Sequence, residues 1–142
     1  EESVHLSSMP AANASLMDED LAGTWERILL LRQEVSREME QARRDKVIGH
    51  PLDAKVTLSS EGNTLDFLRK VEPMLDDIFI CSGVEVAQGD GCYGESESFD
   101  HLKIQVSKAL GGKCPRCWHY REDIGRDPAF AELCTRCAAQ LS

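Results

Sequence analysis

The run Lys113-Cys114-Pro115-Arg116-Cys117-Trp118-His119-Tyr120, with Cys134-Thr135-Arg136-Cys137 further on, decides how this chain is read. Two residues between the cysteines of each pair let a tight turn aim both sulfurs at one point. The sixteen residues between the pairs are long enough for a short hairpin and a return. Four thiolates so spaced suit one tetrahedral zinc held by Cys114, Cys117, Cys134 and Cys137. Four sulfur ligands leave no open position, so the expected metal is structural. The alternatives are iron in the same cage, two disulfides, or four free core thiols. A disulfide framework belongs to secreted chains. No signal peptide is read here, and Cys81 and Cys92 stand apart without partners at similar spacing.

A zinc tetrathiolate carries a formal charge of about −2, so nearby cations help to hold it. Arg116 and Arg136 occupy the same place in each knuckle, just before its second cysteine, and Lys113 precedes the first. These cations either balance the cluster alone or also face an anion. Trp118, His119, Tyr120 and Arg121 place two aromatics and two potential cations beside the metal. Stacking surfaces mixed with cations are what single-stranded or looped RNA needs. Against this, Trp118 and Tyr120 are available to roof the zinc in so small a lobe, and packing is the expectation for Trp118. His119 is a fifth candidate ligand that four cysteines make redundant.

The quoted run, with its Cys-Trp-His-Tyr continuation, resembles the C-terminal zinc finger of bacterial isoleucyl-tRNA synthetases, a finger type also found in formamidopyrimidine-DNA glycosylases. Two further segments are similar to the synthetase C-terminal region. One is Ser3-Val4-His5-Leu6-Ser7, where the anticodon-binding helical domain hands over. The other is the helix-to-strand passage Arg43-Arg44-Asp45-Lys46-Val47-Ile48-Gly49 with Leu52-Asp53-Ala54-Lys55-Val56.

The chain has 142 residues, 42% hydrophobic and 29% charged, enough for one modest core and a satellite. No apolar run approaches the length of a membrane span. The first residues, Glu1-Glu2-Ser3, suggest a fragment or a processed chain, and six cysteines without a secretory segment suggest a reducing compartment. Net charge is −9, which taken alone argues against a nucleic-acid partner. Residues 1–100 carry −12 and residues 101–142 carry +3, so the ribbon end is the basic part. A small positive face on an acidic body contacts phosphates only when other contacts dock it.

Residues 1–19 read as an extended linker. A helix from Asp20 to Lys46 follows, with Leu21, Trp25, Ile28, Leu31, Val35, Met39 and Ala42 on one face, acidic capping from Asp18 to Asp20, and Gly49 and Pro51 as its stop. Its other face is a solvated one with paired charges, and Arg43, Arg44 and Lys46 are candidates for phosphate contact. Val47-Ile48-Gly49-His50 is one residue from the His-Ile-Gly-His peptide of class I synthetases, but it closes a helix rather than opening one, and no nucleotide-binding glycine pattern is present.

A strand is expected at Ala54–Leu58, a turn at Glu61-Gly62-Asn63, and a helical face at Leu65, Leu68 and Val71 that Pro73 interrupts. Ile78–Ser82 and Gly83–Ala87 read as strands, with Cys81 in the core. Gly89–Asp100 reads as a mobile loop with little to bury, carrying Cys92. Leu102, Ile104 and Val106 form a returning strand whose outer face, with Lys103, Gln105 and Lys108, is basic; Gly111-Gly112 hinges into the ribbon.

The expected fold class is α+β: a long helix, a small mixed α/β unit over 20–110 and a four-cysteine ribbon over 111–142. The resemblance implies an ATP-dependent ligase that joins isoleucine to its tRNA in the cytoplasm. It places catalysis, editing and ATP use in upstream domains and leaves this piece with no catalytic site, as a monomeric appendage gripping the anticodon arm. The alternatives are the tail of a DNA-lesion glycosylase and a purely structural docking domain.

Overall fold

Asp18 starts the first long element. Its carboxylate accepts the Leu21 amide at 2.9 Å, and Glu19 and Asp20 complement the positive end of helix α1, Glu19–Arg44. The computed structural model describes residues 3–89, 96 and 98–141. The buried stripe of α1 begins only at Ile28 and continues through Leu31, Val35, Met39 and Ala42. Leu21 and Trp25 lie on the same stripe but are 53% and 42% exposed. On the opposite face Arg43 pairs with Glu40 at 2.9 Å, three residues apart.

The helix stops earlier than its sequence suggested. Lys46 turns left-handed at φ 60, its amide reaches Arg43 O, and Val47 N–H reaches Ala42 O at 2.9 Å. These two bonds satisfy the last carbonyls, so α1 closes before Gly49 and Pro51 are reached. Pro51 opens a single 3-10 turn, Pro51–Asp53, in which His50 Nδ1 accepts the Leu52 amide and Asp53 Oδ2 accepts those of Gly49 and His50.

Strand β1, Ala54–Ser60, buries Ala54, Val56, Leu58 and Ser60 and leaves the alternate residues half-covered. Helix α2, Gly62–Phe79, carries the chain to strand β2, Gly83–Gln88, which lies parallel to β1 with Val84 opposite Val56. Strand β3, Lys103–Lys108, returns antiparallel on the other edge with Val106 opposite Val56, giving the order β2-β1-β3. Helix α2 packs on β1 and β2, and α1 packs on β3. Ile28, Leu31, Val35, Leu68, Leu75, Val56, Leu58 and Ile104 meet in the layer between. The observed class is α+β, as expected.

Three local expectations are corrected. Glu61-Gly62-Asn63 begins α2 instead of making a turn. Pro73 sits inside that helix without interrupting it. Its missing N–H faces the exposed side, while Leu68, Val71, Leu75 and Phe79 keep one buried stripe across it. Ile78 and Phe79 form the last turn of α2 rather than a strand, and Ile80 ends it in the left-handed region at φ 56, ψ 50. A short apolar run does not distinguish strand from buried helix, and the helical period carried through.

Cys81 is fully buried as expected; burial pushes its thiol up to about 11, and its Sγ points at Gly83 O. The loop expected between Gly89 and Asp100 has residues 90–95 and 97, Cys92 among them, outside the described residues. Its far end buries more than expected. Phe99 is core, stacked on Phe67 with centroids 6.4 Å apart, and Ser98 Oγ donates to the buried Glu34. Residues 3–17 contain two single 3-10 turns, and Leu6, Met9, Leu16 and Met17 are exposed. Among the described residues, no helix is long and apolar enough to cross a membrane.

Candidate metal centre

Two short strands, β4 at Gly112–Lys113 and β5 at Tyr120–Arg121, pair antiparallel and hold the first cysteine pair between them. The hairpin expected between the pairs thus encloses the first pair instead. The bonds Trp118 N–H to Cys114 O at 2.8 Å and Cys114 N–H to His119 O at 2.9 Å close the loop. The second pair lies on a four-residue helix, α3, Thr135–Ala138, with Cys134 at its start. Asp123 steadies it by accepting the Thr135 amide at 3.2 Å. Burial alone would raise the Asp123 carboxyl, but hydrogen bonds from Thr135 outweigh it and hold the group below its ordinary value.

The four sulfurs lie within 4.8 Å of one another. Cys117 Sγ and Cys134 Sγ are 3.8 Å apart, far beyond a disulfide bond. A tetrahedron with zinc–sulfur arms of about 2.3 Å has edges of about 3.8 Å, so the donor set and spacing fit one zinc. Cys114, Cys134 and Cys137 are buried and Cys117 is half-buried, in an apolar cluster separate from the main core.

Burial opposes ionisation at Cys114, but backbone hydrogen bonds from Cys117, Cys134 and Arg116 outweigh it and bring the thiol down to about 6. Burial and then the neighbouring sulfurs push Cys137 up to about 12, and Cys117 moves the same way. Cys114 thus forms its thiolate readily, while Cys117 and Cys137 need a cation to share their charge.

The aromatic and basic residues around the cluster divide into two groups. Trp118 does not roof the cluster. It is 60% exposed, its backbone is left-handed at φ 65, and its indole N–H donates to Pro115 O at 3.2 Å. With the backbone turned this way, the ring swings outward from the knuckle. Lys113 Nζ lies 5.9 Å from the indole centroid. His119 is buried, and its Nδ1 donates to Cys117 O at 3.0 Å, a tautomer fixed because a carbonyl only accepts.

Arg116, Arg121 and Arg136 are engaged within the chain. Arg116 reaches Cys137 O at 3.0 Å and ties the two knuckles. Arg121 pairs with Asp76 at 3.3 Å and Arg136 with Asp77 at 3.5 Å, both on the last turn of α2. Asp77 and the cysteine sulfurs outweigh burial and hold Arg136 more firmly protonated. Tyr120 is half-buried, and its amide donates to Ser82 Oγ at 2.7 Å.

Arg43 and Lys46 do not join this group. They line a separate open groove of about 410 Å³ with Asp53 and Lys108, and Arg44 is exposed nearby on the last turn of α1. Lys108 was expected on the outer face of β3. Its parity with Ile104 and Val106 puts it at the end of the helix-covered side instead, a placement that counting alternate residues would have revealed.

Residues 111–140 match the family model described as a zinc finger found in FPG and IleRS. The whole chain is similar to isoleucine–tRNA ligases. It is 47% identical to that of Geobacter sulfurreducens over 142 residues, 99% of this chain and 15% of the relative. It is 44% identical to that of Carboxydothermus hydrogenoformans over 99% of this chain and 15% of the relative. For Staphylococcus haemolyticus the figures are 39%, 96% and 14%. The chain thus spans about 15% of the length of the relatives it matches.

Proposed function

We infer, from the premise that this chain belongs with the isoleucine–tRNA ligases it matches along nearly its whole length, that it is an RNA-binding appendage of such an enzyme. In that reading Cys114, Cys117, Cys134 and Cys137 hold one structural zinc, and the knuckle so fixed presents Trp118 and Lys113 to unstacked bases and phosphates of the isoleucine tRNA. The observation that supports it is the exposed indole of Trp118, held on a metal knuckle with a lysine over its ring. A rigid stacking surface beside a cation is the usual device for single-stranded RNA. The groove of Arg43, Lys46 and Lys108 supplies a second, purely electrostatic contact with the phosphate backbone.

Residues 1–19 act as the linker from the anticodon-binding domain, 20–110 as a small α/β domain and 111–142 as the zinc ribbon. Amino-acid activation with ATP and its transfer to tRNA are the work of the rest of the parent enzyme, in the cytoplasm, with this piece monomeric. A glycosylase tail is disfavoured because the similarity to the ligases runs through α1 and the sheet as well as the finger. A purely structural role draws on the Arg121–Asp76 and Arg136–Asp77 pairs, which turn two ribbon cations inward.

A salt series of binding between the zinc-loaded chain and isoleucine tRNA, with bulk tRNA and duplex DNA as competitors, tests the reading. Preferential tRNA binding that weakens with salt is the expected result. Absence of binding to all three would leave the structural role.

A further inference from the structure

The ribbon and the α/β unit meet at one corner, where α2 passes into β2. Ser82, 4% exposed, accepts the Tyr120 amide at 2.7 Å and donates its own proton to Leu52 O. Asp76 pairs with Arg121 at 3.3 Å, with both side chains only about a quarter exposed at 26% and 27%. Asp77 reaches Arg136, on the second knuckle, at the surface. On the covalent side, Gly111 stands at φ +89 so close to β5 that a Cβ would meet Arg121 O at 2.3 Å. The apolar residues of the ribbon form a cluster distinct from the main core. Polar contacts of defined direction therefore set the ribbon's orientation, since burial of apolar surface carries no such direction.

We propose that Asp76, Asp77 and Ser82 are positioning residues that lock the zinc ribbon onto the α/β unit in one orientation, so that Trp118 and Lys113 are presented to RNA as a preorganised face. Arg121 on this view is a docking residue, not a phosphate ligand. The RNA half of the proposal rests on the function inferred above, whereas the orientation half does not. A ribbon free to swing at Gly111-Gly112 would lose orientational freedom on binding, and a locked one has already lost it.

The test uses the zinc-loaded chain and amide residual dipolar couplings from the ribbon and from the sheet. In the wild type both sets should fit one alignment tensor. In Asp76→Asn combined with Ser82→Ala they should need two, with zinc still bound. The charge-swapped pair Asp76→Arg with Arg121→Asp should approach a single tensor again. Isoleucine tRNA should bind the loosened variant roughly threefold to tenfold more weakly with an unchanged salt slope, and the swap should recover most of the loss.

Two tensors in the wild type, or one in the loosened variant, would overturn the lock. A loosened variant that binds tRNA as well as or better than the wild type would overturn the preorganisation, tighter binding marking Arg121 as a phosphate ligand that Asp76 had masked. If the wild type binds no tRNA, the functional reading falls and with it the RNA half of the proposal. The couplings then judge the lock alone.

Discussion

Trp118 carries a strained backbone and, in the function proposed above, an RNA contact, and the two can be separated. A left-handed backbone costs an L-residue about 1–2 kcal/mol that glycine avoids, so the φ of 65 at Trp118 is a burden the knuckle bears for its indole. Trp118→Gly is expected to leave zinc affinity within about threefold, because relief of the backbone offsets the lost indole bond to Pro115. The same change should weaken tRNA binding by about 1–3 kcal/mol, the usual value of one base stacked on an aromatic ring. Competition with a chromogenic chelator and a filter-binding titration read the two separately. The four cysteines were legible because their spacing is a local matter, decided within a few bonds. The outward ring of Trp118 was not, since it depends on the sign of one dihedral that the residue type does not announce. The inward turn of Arg121 and Arg136 was equally hidden, because Asp76 and Asp77 lie some forty to sixty positions away in the chain.

Among the elements, α1, β1 and β3 were legible from their periods, while the passage from α2 to β2 was misread because Ile78 to Cys81 is apolar under either period. The extent of the apolar stripe on α1 was also invisible. Leu21 and Ile28 share a face, yet only Ile28 is covered. Truncation should reflect coverage rather than hydrophobicity. Leu68→Ala, at a fully buried site in α2, is expected to cost about 2–5 kcal/mol. Leu21→Ala, more than half exposed, should change stability by under about 0.5 kcal/mol. Urea titrations followed at a helical wavelength give both values from the shift in midpoint at constant slope.

On the scale of the molecule, two cores of unlike origin stand side by side. The main one is apolar and draws on α1, α2 and the sheet. The ribbon's is a sulfur cluster with Ile124 and Leu133 beside it, too small to stand without a metal. Stripping zinc should therefore release the amide protection of Tyr120 and the residues of α3 while far-ultraviolet helix signal stays nearly whole, because α1 and α2 belong to the other core. Hydrogen exchange with and without chelator measures this, and a collapse of both signals together would show one core where two are described. Sheet order and the docking corner were outside the reach of sequence patterns, since strand pairing and ion pairs depend on partners far apart in the chain.

Gly111 has a consequence for how this chain tolerates change. Every single-base change of a glycine codon that puts another residue in its place installs a Cβ, and at Gly111 that atom would press on the Arg121 carbonyl. Gly112 meets only a side-chain methyl of Ile124 at 3.3 Å, and Gly23 meets nothing within 4 Å. Adjacent glycines of identical chemistry thus sit at opposite ends of mutational freedom. In a complete substitution library Gly111 should survive as a single letter, while Gly112 admits small residues and Gly23 drifts.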